Sequence, residues 1–136
     1  MTDATLDTLA RAEPAALKAF AEELIPQLGD IEVQRNRTGL VMLPMRDTAQ
    51  GTNFHLGEVL VSEAQIAASG RVGYGMVRGH DLEQAMAMAL VDLALATDVE
   101  TDAFAAFVKS QADALAAADE TRLRKIEATR VNMETF

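Results

Sequence analysis

Residues 70–96 read GRVGYGMVRGHDLEQAMAMALVDLALA, and the contrast between the two halves of this stretch decides the fold. From Arg71 to Arg78 the side chains alternate as in a strand. Val72, Tyr74 and Met76 take one face, and Gly73, Gly75 and Val77 take the other. Two glycines on one face leave bare backbone, so a helix, a ligand or another subunit must come very close there. A helix is expected over about 81–96, directly after Gly79-His80. Its Leu82, Met86, Leu90, Val91, Leu93 and Leu95 point in several directions, with alanines between them. A helix that is apolar all round is buried all round. The stretch predicts a strand that feeds a central helix, covered by a sheet on one side and by other helices or chains on the other.

Upstream, Ser69-Gly70 suits a two-residue hairpin turn into the Arg71–Arg78 strand. Phe54 and Leu56 share one strand parity, whereas Val59 and Val61 have the other. A one-residue bulge at Gly57-Glu58 would restore a single inward apolar face. Leu40 to Arg46 is almost continuously apolar, as in a strand covered on both faces, and Pro44 puts that strand near a sheet edge. Arg37-Thr38-Gly39 reads as a tight turn that separates it from a first strand at Ile31–Arg35. The expectation is a four-stranded, mainly antiparallel sheet over about 31–78.

Helical spacing governs both ends. Leu6 and Leu9 mark a short first helix. Glu13-Pro14 restarts the chain, and Leu17, Phe20, Leu24, Ile25 and Leu28 form a second apolar stripe that Pro26 should end or kink. After a break at Thr97–Glu100, Thr101 or Asp102 would cap a helix carrying Phe104, Phe107, Val108 and Leu115. A last helix would start near Asp119-Glu120 with a thin stripe of Leu123, Ile126 and Val131. The fold class is therefore α+β, a single domain over 1–136 with N-terminal helices, a buried central helix and C-terminal helices.

The 136 residues include no cysteine, which removes disulfides, thiolate metal sites, iron–sulfur clusters and a cysteine nucleophile. The net charge of −9 is uneven: about −4 over residues 1–30, +1 over 31–80, −8 over 81–120 and +2 over 121–136. Acidity sits on the predicted helices, and this balance argues against a nucleic-acid binder. The polar, acidic start lacks the features of a secretory signal, and no apolar run is long enough to span a membrane. A cytoplasmic protein is expected.

Chemistry is sparse. His55 and His80 are the two histidines, without the spacing of a metal site. The glycines match neither a dinucleotide fingerprint, since Arg78 stands where glycine is needed, nor a Walker loop, since Met76 stands where lysine is needed. Arg78-Gly79-His80 offers an arginine and free N–H groups at a helix start, a candidate anion site, unless Asp81 fills it as the N-cap. Arg35, Arg37, Arg46, Arg71 and Arg78 could gather on a phosphate or on a partner's carboxylates, or stand as ordinary strand-edge charges. Asp47, Glu58 and Glu63 are too scattered for a general acid–base pair. No catalytic residue and no metal ligand is nominated.

Four stretches together resemble the PhnG family, a subunit of the bacterial carbon–phosphorus lyase system. They are Gly39-Leu40-Val41-Met42, the run FHLGEVLVSEA over 54–64, the run GYGMVRGHD over 73–81, and Thr129-Arg130-Val131-Asn132-Met133. The resemblance implies a cytoplasmic complex with PhnI, PhnH and PhnJ. That complex takes an alkylphosphonate and a purine nucleoside triphosphate, commonly ATP, and displaces the base to form a ribose 1-phosphonate 5-triphosphate. It places the chemistry of that step on PhnI and a later radical step on another subunit, with no cofactor bound by this chain alone. The expected role is thus an accessory, structural subunit in a homo- or hetero-oligomer. Gly73, Tyr74, Gly75 and the terminal Phe136 are its candidate partner contacts. The alternative is a subunit that lends Arg78, Gly79 and His80 to a shared phosphate- or phosphonate-binding site.

Overall fold

The computed structural model describes residues 3–130. In chain order the elements are α1 (Asp3–Arg11), α2 (Pro14–Leu28), β1 (Glu32–Arg46), β2 (Asn53–Ala68), β3 (Arg71–Arg78), α3 (Leu82–Ala96) and α4 (Thr101–Ala128). Helix α3 is the central element that its all-round apolar sequence predicts. One side lies on β3 and β2, so close that a Cβ added to Gly73 or Gly75 would sit 2.3 Å from the carbonyl oxygen of Ala89 or Ala85. Glycine is what lets the two backbones meet. On its other side lie Leu17, Ala21, Leu24 and Leu28 of α2, and Leu9 of α1, which packs against α4 and β3, belongs to the same core. Phe107 of α4 stacks on Phe20, ring centroids 4.6 Å apart.

The sheet has three antiparallel strands in the order β1-β2-β3, not four. The expected turn at Arg37-Thr38-Gly39 does not form. These residues pair with Glu63, Ser62 and Val61, and β1 runs unbroken for 15 residues. The reason is the partner: β2 presents 16 consecutive residues of ladder, and a turn in β1 would orphan part of it. Gly39 is also absent from the glycines at positive φ, so its backbone is ordinary strand.

Other local signals are realised. Ser69 and Gly70 both take positive φ (52° and 75°), as a two-residue hairpin requires. Pro44 lies on the edge strand β1. The bulge falls at Leu56, beside the expected Gly57-Glu58: Leu43 pairs with Gly57 while Pro44 pairs with His55. The face it selects is not the expected one, however. Helix α3 covers Ser62, Ala64, Ile66 and Ala68, and Val59 and Val61 lie on the opposite, uncovered face. The two predicted C-terminal helices are one helix of 28 residues, since nothing between Thr101 and Ala128 breaks it and the middle is rich in alanine. Its N-cap is Glu100, without a side-chain cap bond, rather than Thr101 or Asp102. Pro26 lies inside α2, which runs on to Leu28.

Strand β3 pairs only with 61–68 of β2. The rest of β2 and its partners in β1 therefore extend past β3 as a two-stranded ribbon, closed by the 47–52 loop. There Asp47 N–H donates to Thr52 O and Gly51 N–H to Asp47 O, at 2.8 and 2.7 Å.

Candidate functional site

The corner between β3 and α3 holds Arg78, Gly79 and His80. Beneath it Ser62 is completely buried. Its hydroxyl donates to Gly79 O at 2.8 Å and accepts from Asp81 N–H at 2.9 Å. The Asp81 carboxylate accepts from Gln84 N–H at 2.9 Å and from Lys18 Nζ at 3.2 Å. The Gln84 N–H, then Lys18, hold this carboxyl below the usual range. Asp81 thus caps α3 with its own anion, in the place an exogenous anion would need. Arg78 and His80 are exposed beside this corner, and their side chains take part in no hydrogen bond or ion pair among the described residues. Sequence reasoning missed Ser62; its only signal was a small polar residue in register with Ala64, Ile66 and Ala68.

The five sheet arginines do not converge. Arg35 and Arg37 share Glu63, at 3.4 and 2.7 Å, on the uncovered face. Arg46 folds over Gly51 at the hairpin tip, Arg71 starts β3, and Arg78 ends it. Glu63 also accepts from the Tyr74 hydroxyl at 2.6 Å. That bond first, and Arg37 second, hold its carboxyl below the usual range. Burial, then Glu63, push the Tyr74 hydroxyl up. The Tyr74 N–H, at the sheet edge, donates to Asp92 of α3 at 2.9 Å. Of the candidate partner contacts, Gly73 and Gly75 face α3, Tyr74 is on the uncovered face, and Phe136 lies outside the described residues.

The ribbon is the conspicuous feature. Leu40, Met42 and Leu60 are 63%, 53% and 41% exposed on one face. Val41, Leu43, Met45 and Phe54 are exposed on the other, and Leu56 at the bulge. A two-stranded ribbon is marginal in water, and apolar surface on both faces gives it nothing to lean on. The sequence predicted a strand covered on both faces at Leu40–Arg46; among the described residues it is covered on neither.

Among the described residues no group of His, Cys, Asp and Glu could hold a metal ion. No helix there is long and apolar enough to cross a membrane. The class so defined is an α+β protein with its helices on one face of a three-stranded sheet and a bare apolar ribbon. The chain belongs to the family described as phosphonate metabolism protein PhnG, whose model matches residues 3–136. It is 33% identical over 105 residues to the alpha-D-ribose 1-methylphosphonate 5-triphosphate synthase subunit PhnG of Rhizobium meliloti (strain 1021), covering 76% of this chain and 67% of that protein. It is 32% identical over 105 residues to HtxH of Stutzerimonas stutzeri, which is named for a C-P lyase subunit. That match covers 68% of this chain but 28% of HtxH, so the chain spans little more than a quarter of that relative.

Proposed function

We propose that this chain is an accessory, structural subunit of a cytoplasmic carbon–phosphorus lyase complex. In this role it supports transfer of an alkylphosphonate to the ribose C1 of a purine nucleoside triphosphate, with release of the base. Its partners are PhnI, PhnH and PhnJ, and ATP and the alkylphosphonate are substrates of the whole complex. The ribbon carries this reading. Eight large apolar side chains over 40–60 are 40% or more exposed, and a partner chain is the natural cover for such a surface.

The test is a double variant, Leu40→Asp with Met42→Asp, co-expressed with PhnI, PhnH and PhnJ. Both positions are solvent-exposed, so the variant chain alone should keep its melting temperature. Its co-purification with the other subunits should fall at least about tenfold, one step of 1.4 kcal/mol. A wild-type chain that stays monomeric and joins none of them rejects the reading.

A second reading, a phosphate site at Arg78, Gly79 and His80, is favoured by the Arg78 guanidinium, which has no partner among the described residues. Against it stands the Asp81 carboxylate already seated on the helix start. On this reading Arg78→Ala lowers turnover of the assembled complex without loosening assembly. Unchanged turnover removes it.

A further inference from the structure

We propose that the hollow over Gly39 is a socket for an apolar side chain of a non-identical subunit, seated beside a carboxylate that meets Arg37. This rests on the subunit reading above and adds where, and by what chemistry, contact is made. Gly39 is opposite Val61 on the uncovered face of the sheet. Around it stand Arg37, Val41, Val61, Glu63 and Met76.

Glycine inside a strand weakens it by about 0.5–1 kcal/mol relative to alanine. At Gly73 and Gly75 the packing of α3 explains the residue. Nothing among the described residues explains it at Gly39. A Cβ there would meet no atom within 4 Å, and the backbone is not left-handed. Bare backbone in an open, apolar-walled hollow suits the close approach of something outside the chain.

Charge selects the occupant. Arg35 and Arg37 share the single carboxylate of Glu63, and Arg37 is 63% exposed at its side chain. Two guanidiniums against one carboxylate leave a positive excess at the rim, in a chain whose net charge is −9. Arginine pairs best with a carboxylate, which it can hold through parallel N–H bonds. A second copy docked with a two-fold axis over Gly39 would set hollow against hollow and arginine against arginine. A second copy docked by another face would make a heterologous contact that need not close. The occupant that fits is a different chain bearing an apolar knob flanked by Asp or Glu.

The experiment compares wild type, Gly39→Ala and Gly39→Val, each as the full chain, alone and co-expressed with PhnI, PhnH and PhnJ. Alone, both variants should melt at or slightly above wild type, because the site has room and β-branched residues suit a strand. In co-purification Gly39→Val should lose about tenfold or more in affinity, with Gly39→Ala between it and wild type. Added salt should weaken the wild-type complex, since a charged rim is screened. Should Gly39→Val melt lower, Gly39→Ala decides, because it adds one carbon into open space. Normal assembly of the Gly39 variants alongside failure of the Leu40→Asp, Met42→Asp variant overturns the socket and leaves the subunit reading standing. Normal assembly of all of them overturns both. Loss of self-association in the isolated Gly39→Val chain, with hetero-assembly intact, makes the occupant a second copy and also overturns the proposal.

Discussion

One sheet carries two halves of similar composition and opposite surroundings. In the covered half, β3 and 61–68 of β2, glycines and small apolar residues lie under α3, and Ala64, Ile66 and Val77 are all but sealed from solvent. In the bare half, the ribbon of 40–46 and 53–60 with Gly39 at its root, larger apolar residues lie in water. Hydropathy alone would bury the second half first. What separates the halves is the presence of a backbone close enough to exploit the glycines. Gly75 has the Ala85 carbonyl above it, whereas a Cβ on Gly39 would meet nothing within 4 Å among the described residues. The covered half is finished by its own chain, and the bare half is left to be finished by another.

The same substitution at the two glycines is the sharpest way to break that contrast. Gly75→Ala puts a carbon about 2.3 Å from the Ala85 carbonyl oxygen, a backbone atom that cannot swing aside. Helix α3 must lift off, and a loss of about 3 kcal/mol is expected in chemical denaturation, at the upper end for overpacking. Gly39→Ala in the same assay should be neutral or stabilising by a few tenths of a kcal/mol. Equal losses at both positions would mean that the ribbon is not bare in solution.

Ser62→Ala comes next. This hydroxyl links two strands to the start of α3, donating to Gly79 O and receiving Asp81 N–H. Removing it leaves a buried N–H and a carbonyl short of a partner, at about 1–3 kcal/mol. The loss should appear in the denaturation midpoint with the slope unchanged. Since the corner belongs to the covered half, assembly of the surviving folded protein should be normal.

The covered half was the more legible one, and the reason is physical. Gly73 and Gly75 on one strand face, then a helix apolar all round, specify their own mutual contact. Asp81 at the helix start and Ser69-Gly70 between alternating strands are short-range signals whose chemistry acts locally. The bare half was misread because its cues depend on length and on partners. Gly39 after Arg37-Thr38 has the composition of a turn, and only the uninterrupted run of 53–68 shows that β1 must match it. The alternation Arg35, Arg37, Gly39, Val41, Leu43 would have shown a continuous strand. The expected double cover of Leu40–Arg46 is a true statement about hydropathy that this chain by itself does not fulfil. Asp119-Glu120 likewise resembles a new helix start, but no glycine or proline stands before it to end the old one.

Acid should touch both halves, through different carboxylates. Asp81 serves the covered half and Glu63 the bare face, and both are held below the usual range when folded. A group with a depressed folded pKa adds stability that is complete above its unfolded value and is lost as pH falls through its folded one. Stability should therefore be level near neutrality and decline below about pH 4, the ordinary carboxylate region. Asp81→Asn and Glu63→Gln should each flatten part of that decline. The Glu63 share should shrink in high salt more than the Asp81 share, because Arg37 and Arg35 reach it from the open side. Equal salt sensitivity would erase the distinction between an internal cap and a surface cluster.

The smallest effect belongs to the distal part of α4, the other segment with little cover, and it explains why only the ribbon asks for a partner. Beyond Gln111 no residue of α4 is buried, and Leu123 and Ile126 are about as exposed as the ribbon's leucines. A helix, however, satisfies its backbone internally. This one is also laced by Lys109–Asp113, Asp119–Arg122 and Glu120–Arg124 pairs one turn apart. All are screened by salt, and the two arginine pairs contribute about 0.3–0.5 kcal/mol each. Arg124→Ala should lower stability by no more than that, and only in low salt, with assembly unchanged. The ribbon has open edges, two apolar faces and, among the described residues, no ion pair beyond Arg37. It cannot support itself in the same way. If Arg124→Ala disturbed assembly more than Leu40→Asp with Met42→Asp, the roles of the two segments would be reversed, and the helix would be the docking element.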